Sequence, residues 1–459
     1  MRFNLYDVIA RICEKISSFT KKFQEELYKE YVSDIESVNS TIENEFSFFN
    51  KHTSKSIIYS TFSDVQINIL FQFIENNCDK KLLFLLSYLD NYIDFQKSLD
   101  SYCQNKCINK YKLYSFKTIS NNEHGYLIPR FYSNWTKKNC NSPDTLMKNP
   151  LSIMRHYLWI DNINGWEVWN VYSNEWSNSK DGFIIACSPL TKSIPFSYKL
   201  IKEDPVNHFY LTTYDKRQQE ELFTRINSIL DISNEHKANV LLFPEMLLSN
   251  EHLKRFNELI STHWQNDYPK IICSPSSEYK IKDRWYNRLS VFDNYGNRVF
   301  SYNKNVSYEH KTTDNQVFFE PICSDKMLYI IHINGVGRIG IIICADIFSD
   351  DIKEILYEKY KISILLVPSF TNGRDQISRG FARCLENSID VIWCNSCAAL
   401  SKDNQIVVKY MAYGHNEKIE RYVKRCSNEC LGCIVIIEIS NDYNGEGKIS
   451  KKRINLGEY

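Results

Sequence analysis

The sequence predicts a mixed α/β layered domain preceded by a mostly α-helical region. Three observations carry this. Over residues 1–115 apolar side chains recur every three or four positions. From residue 181 onward, short apolar runs alternate with amphipathic helical stretches. Turn signals such as Asn294-Tyr295-Gly296-Asn297 and Asn334-Gly335 join neighbouring runs into hairpins, which a purely parallel sheet lacks.

In chain order, Ile9, Ile12, Ile16, Phe19, Phe23, Leu27 and Tyr31 predict one amphipathic helix over Asp7–Tyr31. Its polar face mixes Lys with Glu, which suits packing on a partner helix better than lying on a membrane. Ser63-Asp64 caps a second helical pattern running through Ile74, and a third covers Lys81 to about Tyr102. Residues 116–180 are assigned as a linker with an aromatic hairpin. Lys112–Pro150 is irregular, and Tyr157–Ile160 and Trp166–Tyr172 flank the turn Asn164-Gly165. Trp159, Trp166 and Trp169 are expected to cover a neighbouring core.

The domain over 181–459 begins with a strand at Phe183–Cys187. A helix at Lys216–Glu235, a strand at Asn239–Phe243, a helix at Asn250–Trp264 and a strand at Lys270–Cys273 follow. Hairpins are expected at Arg288–Asp293 with Arg298–Tyr302, and at Met327–Ile333 with Arg338–Cys344. Then come a helix at Asp350–Tyr360, a strand at Ile362–Val367, a helix at Gln376–Asn387 and a strand at Val391–Asn395.

Composition narrows the function classes. The chain has 459 residues, 56 basic and 55 acidic side chains, and a net charge of +1, which gives no support for nucleic-acid or anionic-membrane binding. No apolar run reaches the roughly 18 residues of a membrane span, and the first 22 residues lack a signal-peptide core, so a cytoplasmic protein is expected. The 15 cysteines are read as reduced thiols.

Three stretches carry chemistry. Gly340–Ile343 is an apolar strand running into Cys344-Ala345-Asp346, with Ser349 as an N-cap. A thiol at a strand-to-helix junction meets backbone N–H groups and a helix N-terminus that lower its pKa. Val240–Phe243 delivers Pro244-Glu245 at a strand's C-terminal end, where burial raises a carboxylate toward general-base use. Arg298–Tyr302 ends in Asn303-Lys304, a cation placed to stabilise an oxyanion. Taken singly, each also reads as an inert core thiol, a helix cap or a solvated lysine.

Together, Phe243-Pro244-Glu245, Tyr286-Asn287 with Asp293 and Tyr302-Asn303-Lys304, and Ile343-Cys344-Ala345-Asp346 resemble the carbon–nitrogen hydrolase (nitrilase) superfamily. Val367-Pro368-Ser369, Arg383 with Glu386-Asn387, and Val391–Asn395 extend the resemblance, which covers about Asp181 to Ala399. It implies a four-layer αββα sandwich and a Glu245, Lys304, Cys344 triad, with the Ala345 backbone N–H at the oxyanion. It also implies a second glutamate before the nucleophile strand. Glu320 is the choice and Glu309 the rival. Arg383 and Glu386 are expected to brace a helix. Ala345-Asp346 after the cysteine, rather than Trp-Glu, is similar to the amidase and carbamoylase branches and implies a small-molecule amide substrate.

The resemblance fades beyond Ala399. Lys402–Arg425 is charged, and the family's usual hairpin is hard to find there. Family members commonly dimerise, so a homo-oligomer is expected, and the N-terminal helices are assigned to a protein partner. The other reading is a catalytically inactive ligand sensor or scaffold, with bacterial defence as one setting. No cofactor is implied. Gly335-Val336-Gly337-Arg338-Ile339-Gly340 fits a dinucleotide fingerprint but opens a strand rather than a helix, so it is set aside. Cys426, Cys430 and Cys433 offer three zinc ligands, with a fourth such as His415, but their spacing lacks a partner pair, so unpaired thiols are expected, as for Cys103 and Cys107.

Overall fold

The computed structural model describes residues 5–49, 62–92, 113–119, 126–130, 150–161, 163–173, 182–191, 193–202, 205–263, 265–333, 335–372, 374–400, 405–414, 417–424, 433–441 and 447–455. The chain is a mixed α/β protein of two compact units. The first takes Met1–Tyr132, Lys138–Glu167 and Val171–Asn174, and the second Ser133–Lys137, Val168–Asn170 and Glu175–Tyr459.

The first unit is built from α1 (Leu5–Ser17), α2 (Lys21–Ser33), α3 (Val38–Glu45), α4 (Asp64–Asn76) and α5 (Lys81–Tyr92). The apolar stripes meet in one core of Ile9, Ile12, Ile16, Leu27, Leu70, Ile74 and Leu82–Leu86. The single helix expected over Asp7–Tyr31 is two. Thr20 caps α2 by accepting the Phe23 N–H, and Gln24 Nε2 donates to the Ile16 and Phe19 carbonyls that end α1. The apolar period carries across the break, which hides it from a periodicity argument. α4 opens on a full capping box between Ser63 and Gln66. Cys103 and Cys107 fall outside the described residues.

Two expectations in this part are corrected. The stretch read as irregular holds β1 (Leu113–Ile119) and β2 (Tyr126–Pro129). The runs about Asn164-Gly165 are strands, β3 (Tyr157–Ile160) and β4 (Glu167–Ser173), and both turn residues have positive φ, but they do not pair as a hairpin. β3 pairs antiparallel with β2 instead, while Asn164-Gly165 still form a tight turn closed by the Trp166 N–H on the Ile163 carbonyl at 2.8 Å. Trp166 is buried and Trp159 packs on the first core, as expected.

The second unit contains two large sheets. One has the order β10 (Ser277–Ile281), β11 (Arg284–Asp293), β9 (Ile271–Cys273), β8 (Val240–Leu242), β5 (Phe183–Cys187), β21 (Cys433–Asn441), β22 (Gly447–Asn455), with β12 (Arg298–Asn303) paired to β11. The other includes β15 (Met327–Ile333), β16 (Gly337–Ile341), β17 (Ile364–Ser369), β18 (Asp390–Asn395), β19 (Ile406–Gly414) and β20 (Glu417–Lys424). Each has three parallel strands at its centre, β5-β8-β9 and β16-β17-β18, and antiparallel strands outside. α6 (Lys216–Glu235) and α7 (Asn250–Thr262) bury Leu222, Ile226, Ile229, Phe256 and Ile260 against Ala186, Leu241, Ile272 and Phe292. α8 (Asp350–Lys353) runs on as a π-helix over Glu354–Lys359, and α9 (Arg374–Glu386) precedes β18.

β19 and β20 correct the reading of Lys402–Arg425. They form a long hairpin in which Ile406–Met411 are buried, Lys409 among them, so the hairpin that is hard to find in the sequence is present. A third sheet was not foreseen: β13 (Glu309–Lys311), β14 (Val317–Phe319), β7 (His208–Tyr214) and β6 (Phe196–Ile201), in that order. Its β6 is largely exposed, so its sequence alternates weakly.

Candidate functional site

The site forms where strands of both large sheets end. Past β8 the chain runs Phe243-Pro244-Glu245, past β12 it reaches Lys304, past β16 it reaches Cys344, and past β17 it reaches Phe370. Ends of parallel strands leave backbone groups and side chains facing a crevice.

Lys304 Nζ donates to Glu245 Oε1 at 2.7 Å and to Glu320 Oε2 at 2.6 Å, and all three side chains are at most 1% exposed. Asn287 Nδ2 ties the same carboxylates together, at 2.8 Å to Glu245 Oε1 and 2.8 Å to Glu320 Oε1. Ser276 Oγ donates to Asn287 Oδ1 at 2.7 Å and accepts the Met246 N–H at 2.9 Å. Phe370 N–H donates to Glu245 Oε2 at 2.9 Å, and Tyr308 N–H to Glu320 Oε2 at 3.2 Å. Register explains why Asn287 belongs: the β11–β12 hairpin pairs Arg288 with Asn303, so the Lys304 N–H meets the Asn287 carbonyl at 2.8 Å. The turn visible in the sequence therefore contained the signal for Asn287, which sequence reasoning left without a role.

Glu320 joins the cluster and Glu309 does not. Glu320 follows β14 with its N–H on the Tyr308 carbonyl, whereas Glu309 lies exposed on β13. Burial pushes the Glu245 carboxyl above the usual range and the negative Glu320 adds to this, while Lys304 opposes it. For Lys304, burial disfavours the ammonium, but Glu245 and Glu320 outweigh it and hold the amine protonated well above its ordinary pKa.

Cys344 heads a 3₁₀ turn, Cys344–Phe348, with φ of 44°, a left-handed conformation rare for a side-chain-bearing residue. The α-helix begins only at Asp350, capped by Ser349, so the cysteine does not sit on its N-terminus. The expected lowering of the thiol pKa is corrected accordingly: burial and the Glu245 carboxylate push it up, with Lys304 and Ser369 acting against them. The turn is anchored by Asp346, which the sequence reading used only as a branch marker. Its carboxylate accepts Tyr302 Oη at 2.6 Å, Ile343 N–H at 3.1 Å, Asn305 N–H at 2.8 Å and Val306 N–H at 2.7 Å. One side chain thus joins the cysteine turn to the segment carrying Lys304. Burial pushes the Asp346 carboxyl up to about 6, and Tyr302, Lys304 and the backbone donors restrain the rise.

Cys344 and Ala345 line a cavity of about 480 Å³ together with Tyr308, Thr371, Ile377 and Gly380. Arg383 pairs with Glu358 and, at 3.5 Å, with Asp350, so it braces the neighbouring helical segment. Gly335, between β15 and β16, and Gly337, the first residue of β16, have positive φ, so the fingerprint-like stretch is a strand connection running into β16. Cys433 is buried at the start of β21, while His415, Cys426 and Cys430 lie outside the described residues. Among the described residues no group of His, Cys, Asp and Glu is placed to hold a metal ion, and no helix is long and apolar enough to cross a membrane.

Comparison with known proteins follows the same outline. Residues 211–415 match the family described as carbon-nitrogen hydrolase. No curated protein matches the chain. Among solved structures, a variant of the amidase from Nesterenkonia sp. AN1, with the acetamide moiety of fluoroacetamide added at its active-site cysteine, is 15% identical. It covers 57% of this chain and 92% of its own, with a TM-score of 0.39. Nit3 of Saccharomyces cerevisiae, 14% identical, covers 60% and 90% with a TM-score of 0.35, and the C. elegans NitFhit protein, 18% identical, covers 56% and 61% with a TM-score of 0.36. The C-terminal part of the chain is a domain of the carbon–nitrogen hydrolase (nitrilase) superfamily.

Proposed function

We propose that the second unit is a four-layer αββα sandwich and works as a thiol amidohydrolase, cleaving a non-peptide amide through a thioester on Cys344. The observation that carries this is Lys304 held between two buried carboxylates at the strand ends that also deliver Cys344.

Glu245 takes the thiol proton, and the sulfur bonds to the amide carbon as the carbonyl π pair moves to oxygen. A protonated lysine has three N–H donors, and two of Lys304's are spent on Glu245 and Glu320. The third points the charge at the oxyanion, with the Ala345 backbone N–H as its partner; a donor of this kind contributes about 3–4 kcal/mol. The oxyanion collapses, the C–N bond breaks, and the leaving nitrogen takes the proton from Glu245. A water molecule then gives its proton to Glu245 and attacks the thioester, and the thiolate leaves and is reprotonated. Burial raises Glu245, which makes it a stronger base than an ordinary carboxylate, while the same burial raises the thiol, so the thiolate develops only as Lys304 and the oxyanion donors take up its charge. Glu320 and Asn287 hold Glu245 and Lys304 in register, and Ala345-Asp346 after the cysteine favours amides over nitriles.

The test is a metabolite screen of wild type against Cys344→Ala, with intact-protein mass spectrometry. Wild type is expected to consume an amide and carry an acyl adduct, and the variant to do neither while keeping its fold. Unchanged turnover in the variant overturns the proposal. Thiol alkylation separates the enzyme from a scaffold: Cys344 must react faster than the other cysteines.

A further inference from the structure

A second cavity, of about 300 Å³, adjoins the one at Cys344 and shares Tyr308 and Thr371 with it. Its walls are apolar and aromatic, drawn chiefly from Phe196, Phe209, Leu211, Met246, Tyr308 and Phe370. Phe196 and Phe370 pack with centroids 5.3 Å apart, and Phe209 meets Tyr308 edge-on at 6.4 Å. Phe209 and Met246 are buried, while Phe196, Tyr308 and Phe370 keep part of their surface open. The unforeseen third sheet supplies one wall through β6, β7 and β13. That wall is pinned, because the Leu211 N–H donates at 3.0 Å to Oε2 of the buried Glu278 on β10. His310 is the one imidazole among the lining residues, and no carboxylate lines the chamber.

Two lining residues fix which end of a substrate this chamber takes. Met246 follows Glu245 in the chain, and Phe370 donates its N–H to Glu245 Oε2. The group that receives a proton from Glu245 is the leaving nitrogen. Cys344 and Ala345, where the acyl carbon must sit, line the other cavity. We infer that the chamber is the leaving-group subsite and that the substrate is an N-substituted amide whose amine carries an aromatic or bulky apolar group. This rests on the hydrolase reading above. A pocket of this size and lining suits one ring on a short linker, the aromatic walls offering edge-to-face contacts.

The experiment holds the acyl part fixed and varies the amine. Acetyl, propionyl and succinyl amides of ammonia, methylamine and 2-phenylethylamine are assayed with wild type, and adduct formation on Cys344 is followed by mass. In parallel, 2-phenylethylamine and methylamine are titrated calorimetrically against the wild-type protein. The phenylethyl amides are expected to show kcat/KM at least tenfold above the methyl amides, and free phenylethylamine to bind at least tenfold tighter than methylamine. In Ala399→Trp, which places a ring in the chamber, the phenylethyl-to-methyl ratio is expected to fall at least tenfold. Adducts that form with no preference among amines, or equal binding of the two amines, overturn the inference and leave the hydrolase reading standing. Absence of any adduct together with slow alkylation of Cys344 overturns the hydrolase reading, and with it the leaving-group assignment.

Discussion

Replacing Lys304 with methionine tests whether the three buried charges form one unit. Met fills much of the lysine stem's volume, so the main loss is the ammonium. Glu245 and Glu320 would then face each other across Asn287 Nδ2, each 2.8 Å from it, with no cation between them. Breaking a buried pair by removing one partner costs about 3–5 kcal/mol. The cluster has a cheaper route, which is to protonate one carboxyl. From an unfolded value of 4.5, that costs about 3 kcal/mol at pH 7 and about 1 kcal/mol at pH 5, at roughly 1.4 kcal/mol per pH unit. The sign follows: the folded variant binds a proton that the unfolded chain has lost above pH 4.5, so its stability falls as pH rises. In wild type the lysine pKa is raised above 10.5, so its contribution is fully present throughout pH 5–8. Urea denaturation at pH 5, 6, 7 and 8 reads the gap between the two proteins. The gap is expected to widen from about 1 kcal/mol to more than 3 kcal/mol. A gap that stays flat across that range would refute the idea of a coupled, buried Glu-Lys-Glu cluster.

Three further outcomes are expected. Cys344→Gly should be more stable than Cys344→Ala by about 1 kcal/mol in chemical denaturation, because only glycine is at ease at a φ of 44°. Tyr302→Phe removes the 2.6 Å donor to Asp346 and should cost about 2 kcal/mol of stability, with turnover falling as the cysteine turn loosens. Gly380→Ala should lose activity and about 1–3 kcal/mol by urea titration despite better helix propensity, since a Cβ there meets Ile347 Cγ1 at 2.8 Å and Cγ2 at 2.9 Å.

The sequence made the site legible wherever a functional side chain ends a buried strand. Glu245 and Cys344 each follow an apolar run that stands out because both faces are covered, whereas Lys304 follows the half-buried hairpin strand β12, which its turn residues mark. Glu320 against Glu309 could not be decided that way, since both lie beside short strands of the third sheet; the choice depends on β14 bringing Glu320 N–H to the Tyr308 carbonyl. Asp346 was hidden because its role is to accept two N–H groups from residues 305 and 306, far away in the chain. The break at Thr20 was hidden for the opposite reason, as a local cap inside an uninterrupted apolar period.

The cluster makes little sense as a stabilising device. Well-packed hydrocarbon of the same volume would serve the fold as well or better, because each buried ion forfeits its hydration. The same holds for the backbone: Cys344 at a φ of 44° and Met246 at 64° both occupy conformations costing on the order of 1–3 kcal/mol for non-glycine residues. Among the ten described non-glycine residues with positive φ, these two are the proposed nucleophile and the neighbour of the proposed general base. Left-handed backbone and buried charge therefore lie side by side at this crevice, while the surrounding strands, β8, β16 and β17, are uniformly buried and apolar enough to hold them there. A fold that holds buried charge and a left-handed backbone at this crevice has fixed the positions of a carboxylate, an ammonium and a thiol before any substrate arrives. In the proposed hydrolase, that prior positioning would lower the barrier for C–N cleavage, since no reorganisation is left for the moment of reaction.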